Sequence, residues 1–172
     1  MALKADRHEE TTDISFFYNA GTATRGGVVC LADLGLASGA ALDQGENLVA
    51  YVDATKISVP VGILLNDVVN KDLTRTHVNH HKDEVQKGGK VTVMTRGWVV
   101  TNSIDGTPVA GELAFCSNEN VAADTAGNIS TAANFPLKSG ILCIGRFMSR
   151  KDADGYAKVW VNLPNDGGIA LA

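Results

Sequence analysis

Long apolar runs are missing from this 172-residue sequence, and none approaches the roughly 18 residues that a membrane-spanning helix requires. The opening MALKADRHEETTD has no apolar centre either, so it does not read as a secretory signal, and synthesis in a cytoplasm without membrane insertion is expected. Basic clusters are absent as well. With 15 Lys and Arg against 19 Asp and Glu, and a formal net charge of -4, nothing gathers the cationic side chains that neutralise phosphates, so nucleic acid is not an expected partner. The cysteines Cys30, Cys116 and Cys143 are odd in number, far apart and never arranged as C-x-x-C. They are expected as reduced thiols, buried like small hydrophobes.

Catalytic signatures are equally scarce. Gly26-Gly27 and Gly88-Gly89 each precede a strand-like run, whereas phosphate-cradling glycines follow a strand and open a helix. There is no G-x-S-x-G elbow, and acidic pairs such as Glu9-Glu10 and Asp83-Glu84 stand alone. No nucleophile, base and orienting group come together in the pattern, so neither an enzyme nor a cofactor is expected. No window carries the spacing of an amphipathic helix.

What the chain does carry is strand. Its 45% apolar content suffices for one globular core. The stretch from Lys87 to Phe115 holds two short β-branched runs, Val91 with Val93 and Val99 with Val100, interrupted at Gly97. A polar turn, Ser103 to Pro108, leads from there to a further strand at Glu112 to Phe115, and the whole reads as a β-meander folding back on itself. Other strands are expected at Gly27–Leu31, Leu48–Val52 and Ile57–Leu65. Pro60 cannot donate to a ladder, so the last of these should lie at an edge or begin at Val61. Arg25-Gly26-Gly27-Val28 is echoed by Lys87-Gly88-Gly89-Lys90, and Val61-Gly62-Ile63 by Ile144-Gly145-Arg146, as one β-unit used twice would show.

The clearest hairpin is the last, where Gly140–Met148 and Tyr156–Leu163 flank a turn ending in Asp154-Gly155. In its second arm Ala157, Val159, Val161 and Leu163 alternate with Tyr156, Lys158, Trp160 and Asn162. Successive strand side chains point to opposite faces, so the first set belongs to the core and Trp160 stands among polar neighbours, either as a cross-strand pair or as an interface anchor. Asp152-Ala153-Asp154-Gly155 starts like a calcium loop but lacks the glycine and bidentate glutamate that complete one, and is read as a turn.

Three regions follow: an N-terminal arm over 1–18, a β-barrel-like domain over 19–164 and a flexible C-terminal tail over 165–172. Met1 to Asp13 is charged and without periodicity, and is expected to be a flexible arm in the isolated chain. It runs into Ile14-Ser15-Phe16-Phe17-Tyr18, where alternation would put Ile14, Phe16 and Tyr18 on one face. Ile14, Phe16, Phe17, Tyr18 and Trp160 are the candidate partner-binding residues. The first four either add a strand to a neighbouring subunit or form the first strand of the chain's own barrel.

His77, His80 and His81, with Asp83 and Glu84 nearby, invite a metal site. On a strand His80 would point away from His77 and His81, and no further ligand completes a tetrahedral set, so a solvated loop is preferred and no metal is expected. Asn118 to Pro136 reads as a long surface excursion with a short hairpin at Gly127-Asn128.

Taken together, the charged arm, the glycine-marked strands, Gly97-Trp98-Val99-Val100, Pro108-Val109-Ala110-Gly111-Glu112-Leu113 and Ile144-Gly145-Arg146-Phe147 before a closing hairpin resemble the capsid decoration, or cement, proteins of tailed bacteriophages. The resemblance runs from about Gly26 to Pro164. It implies a small all-β barrel or β-tulip, often a homotrimer, on the outer capsid surface of the virion, where it braces the major capsid protein, with no catalytic residues. The His-rich stretch and the 118–136 segment have no counterpart in that pattern. A carbohydrate-binding β-domain and a metal-binding β-barrel are the alternatives from other classes.

Overall fold

The computed structural model describes residues 3–19, 23–31, 47–51, 60–67, 84–85, 88–116, 127–131 and 143–163, and these are all strand, turn or coil. The strands are β1 (Leu3–Asp13), β2 (Phe17–Tyr18), β3 (Ala23–Thr24), β4 (Val28–Leu31), β5 (Leu48–Tyr51), β6 (Pro60–Asp67), β7 (Glu84–Val85), β8 (Val91–Thr101), β9 (Ile104–Asp105), β10 (Leu113–Cys116), β11 (Ile129–Thr131), β12 (Cys143–Phe147) and β13 (Ala157–Asn162). The all-β expectation holds. Closure into a barrel does not appear among the described residues: eleven strands form one open mixed sheet, in the order β2-β5-β4-β6-β8-β13-β12-β10-β11-β9 with β1 added to β8, and β3 pairs β7 separately.

The long strand β8 is the hub. It is paired by β6 at residues 91–94, by β13 at 96–101, and by β1 from 93 to 101. A backbone has only two hydrogen-bonding edges, so β1 runs along one edge while β6 and β13 follow one another along the other. The sheet therefore divides at β8 into a β6 wing and a β13 wing.

Both wings close on one core. Val28 and Cys30 of β4, Ile63 and Leu65 of β6, and Met94 of β8 meet Val99, the inward residues of β13, and Ala114, Ile129, Ile144 and Phe147 of the other wing. The opposite face of the first wing carries a second core, with Val29, Val49, Leu64, Val91 and Val93 packed around Tyr18, Ala23 and Val85. Strands β4 and β6 are thus buried on both faces, which is why they read as continuous rather than alternating apolar runs.

Met94 and Val99 both enter the first core although an odd separation places strand side chains on opposite faces. A one-residue irregularity must lie between them, and the register with β1 slips there, between Glu9 and Thr11 and again between Thr11 and Thr12. Gly97 makes it possible, at φ 137° with no side chain to strike β1. The expected break at Gly97 is therefore a bulge within one continuous strand. Nor is the region a meander: β10 pairs β11 and β12 and stands two strands away from β8, because β12 and β13, far along the chain, enter between them.

Several local expectations hold. Ala157, Val159, Val161 and Leu163 are buried, and β12 and β13 form the closing hairpin. Its turn is knitted by Asp152, whose Oδ1 accepts the amides of Asp154 and Tyr156 at 3.0 and 2.8 Å. The expectation for Pro60 does not hold: β6 lies inside the sheet and begins at Pro60 itself, as its first residue, where the missing donor costs least. Cys30, Cys116 and Cys143 are buried thiols that form no disulfide with one another. Burial raises the pKa of Cys116, and a hydrogen bond with Cys30 adds to the shift. The tail over 165–172, the His77, His80 and His81 stretch and most of the 118–136 segment lie outside the described residues.

Candidate partner-binding face

The flexible arm expected over Met1 to Asp13 is, from Leu3 onward, an 11-residue strand paired antiparallel to β8. Its polarity hid it: alternation signals a strand only when one face is buried, and here residues 5–12 are exposed on both faces. Leu3 is its one buried side chain. Lys4 Nζ donates to Asp152 Oδ2 at 2.7 Å and lies 4.3 Å from the centre of the Tyr156 ring. That hydrogen bond raises the pKa of Lys4 and lowers that of Asp152. Further along, Arg7 pairs with Glu9, and Arg96 of β8 with Glu10 at 2.9 Å. Among the described residues β1 pairs β8 alone, so its outer edge is open.

The candidate residues after β1 divide. Ile14 is 52% exposed. Phe16 is half-buried against the second core, and Phe17 pairs with Leu48 in parallel, its ring 6.0 Å from Lys90 Nζ. Tyr18 is buried, edge-on to Tyr51 with ring centres 5.9 Å apart. Burial pushes the Tyr18 hydroxyl up to about 12, against a backbone hydrogen bond from Tyr51, and it raises the pKa of Tyr51 too. In this conformation the chain's own fold holds the rings of Phe16 and Tyr18, and Ile14 is the residue left outward.

Trp160 belongs to a larger arrangement. Its cross-strand neighbours are Trp98 on β8 and Arg146 on β12, and the line continues to His8 of β1 beyond Trp98 and to Leu113 of β10 beyond Arg146. Five strands thus contribute one outward residue each to a single row, His8-Trp98-Trp160-Arg146-Leu113. The bulge at Gly97 is what turns Trp98 outward, since without the parity change Val99 would take its place. His8 stacks on Trp98 with ring centres 6.4 Å apart, and Lys158 Nζ sits 3.4 Å from the centre of the Trp98 ring. Arg146 donates to the Gly111 carbonyl at 3.0 Å, which holds its guanidinium at the surface. Trp98, His8, Arg146 and Lys158 were not among the candidate partner-binding residues. Lys158 shares the outward parity of β13 and Arg146 lies across the closing hairpin, but the places of Trp98 and His8 beside Trp160 depend on registers between distant segments.

Among the described residues no group of three metal-ligating side chains comes together. A sheet face with two half-buried indoles and flanking cations is suited to burying surface against another macromolecule.

Residues 7–162, most of the chain, match the model of a family described as Structural cement protein (E217 gp24/Pam3 gp6). No curated protein matches the sequence.

Proposed function

The chain belongs to the phage structural cement protein family, so its role is structural and associated with the virion capsid, and from that premise we propose that it binds the outer surface of a bacteriophage capsid and stabilises contacts between major capsid subunits. Made in the host cytoplasm, it joins the shell as a homotrimer. The observation that supports this reading is the five-strand row around Trp98 and Trp160, a contact face of the composition found at interface hot spots. Burying one such ring contributes about 2 kcal/mol, and the gain is repeated at every copy on the shell, where it opposes opening under internal pressure. The N-terminal arm supplies a second contact: the open edge of β1, with Ile14 outward beside it, accepts or adds a strand at a neighbouring subunit.

Cosedimentation with shells assembled from the major capsid protein of the phage that encodes this chain tests the proposal. The protein should pellet with the shells and raise the temperature at which they open, and a variant lacking residues 1–13 should stay folded but bind more weakly. Failure of the full-length protein to pellet with intact shells rejects capsid binding. Sedimentation of the free protein at the mass of one chain rejects the trimer.

A further inference from the structure

The face that carries the two indoles is cationic. Lys158 lies over Trp98, Arg96 stands opposite Asn162 one step along the strand, and Arg146 stands opposite Trp160. Beside the indoles Glu10 is bound to Arg96 at 2.9 Å, and at the Tyr156 end of the same face Asp152 is bound to Lys4 at 2.7 Å. Around the indoles Arg96, Arg146 and Lys158 stand against Glu10, so the centre of the face is positive on a chain whose formal charge is -4. Arg146 uses one donor on the Gly111 carbonyl, and a guanidinium has five in a fork that fits a carboxylate. Lys158, held against an indole, keeps its charge close to the aromatic surface that a partner would cover.

Resting on the capsid-binding reading above, we propose that this face docks a carboxylate-bearing segment of a capsid subunit, with Trp98 and Trp160 covered by its apolar part and Arg146 and Lys158 paired to its acids. A second copy apposed through this same face fits less well, because cation would then oppose cation. The arrangement separates two contributions. The indoles supply salt-insensitive burial, and the cations supply attraction that salt screens over about 8–10 Å.

The experiment is binding of the full chain to the same shells at low and at high salt, comparing wild type with Lys158→Glu, Arg146→Glu and Trp160→Ala, each first checked for an unchanged far-UV spectrum. Lys158→Gln and Arg146→Gln replace any reversal that fails to fold. At low salt each charge reversal should weaken binding by roughly tenfold or more, a loss that shrinks at high salt, whereas Trp160→Ala should weaken it by a similar factor at both. If wild type binds the shells and the reversals bind equally well at low salt, the acidic partner is overturned while capsid binding stands. If the reversals instead dissociate the free trimer, the face meets a second copy, which also overturns the inference. If wild type itself does not bind, it is the capsid-binding reading that fails.

Discussion

Replacing Gly97 by alanine probes the junction on which both the bulge and the arm depend. A Cβ on Gly97 would lie 2.1 Å from the His8 carbonyl oxygen, so β1 and β8 must separate by about 1 Å before the contact is tolerable. One remedy moves β8, and with it Val99, Val159 and Val161, which are fully buried in the first core; overpacking of that kind costs about 1–3 kcal/mol and spreads to both wings. The other remedy lifts β1. Leu3 is the one side chain it buries, worth about 2 kcal/mol, and the exposed Lys4–Asp152 pair adds little. Lifting β1 therefore caps the damage. Adding about 1 kcal/mol for alanine at positive φ gives a loss of about 3 kcal/mol, or a fall in Tm of roughly 6–12 °C for a chain of this size. Thermal melts followed by far-UV dichroism measure the total, and native-state trypsin cleavage after Lys4 and Arg7 reports the arm. Cleavage should accelerate while the rest of the sheet survives. A Tm within about 2 °C of wild type with unchanged cleavage refutes the close approach, and cooperative loss of the whole sheet refutes the ranking of the two remedies.

Gly145→Ala should be worse than Gly97→Ala, because its Cβ would lie 1.8 Å from the Trp160 carbonyl oxygen and β12 is flanked by β10 and β13, with no free edge to retreat to. Denaturant unfolding should show a loss of about 3 kcal/mol or more, and a smaller loss than for Gly97→Ala contradicts the geometry. Alkaline pH should weaken the fold through Tyr18. Its hydroxyl titrates at about 12 in the folded chain against about 10 unfolded, so the stabilisation is complete below pH 10 and declines as the unfolded state alone deprotonates towards pH 12, by roughly 2–3 kcal/mol. Denaturant midpoints over that range, with Tyr18→Phe flattening the decline, check the sign.

Some of this was legible from residues alone, and for a local reason. The inward set Ala157, Val159, Val161 and Leu163 and the Asp152 turn follow from alternation and turn chemistry within a dozen neighbours, and so does the outward parity of Trp160. The family resemblance, carried by the order of glycine-marked strands, agrees with the match over residues 7–162. Pairing was another matter. A polar strand such as β1 gives no periodic signal, because its stability comes from the edge of β8 rather than from a buried face of its own. The bulge at Gly97 reverses which residues of β8 face inward, so Trp98 is outward only because β6 and β13 grip the strand on either side of a one-residue slip. The sequence by itself determined an all-β chain, its last hairpin and the exposed side of Trp160. Only the tertiary structure decided that Tyr18 is a core residue and that His8, Trp98, Trp160, Arg146 and Leu113 stand in one row, since three of the four registers that assemble the row join segments far apart in the chain.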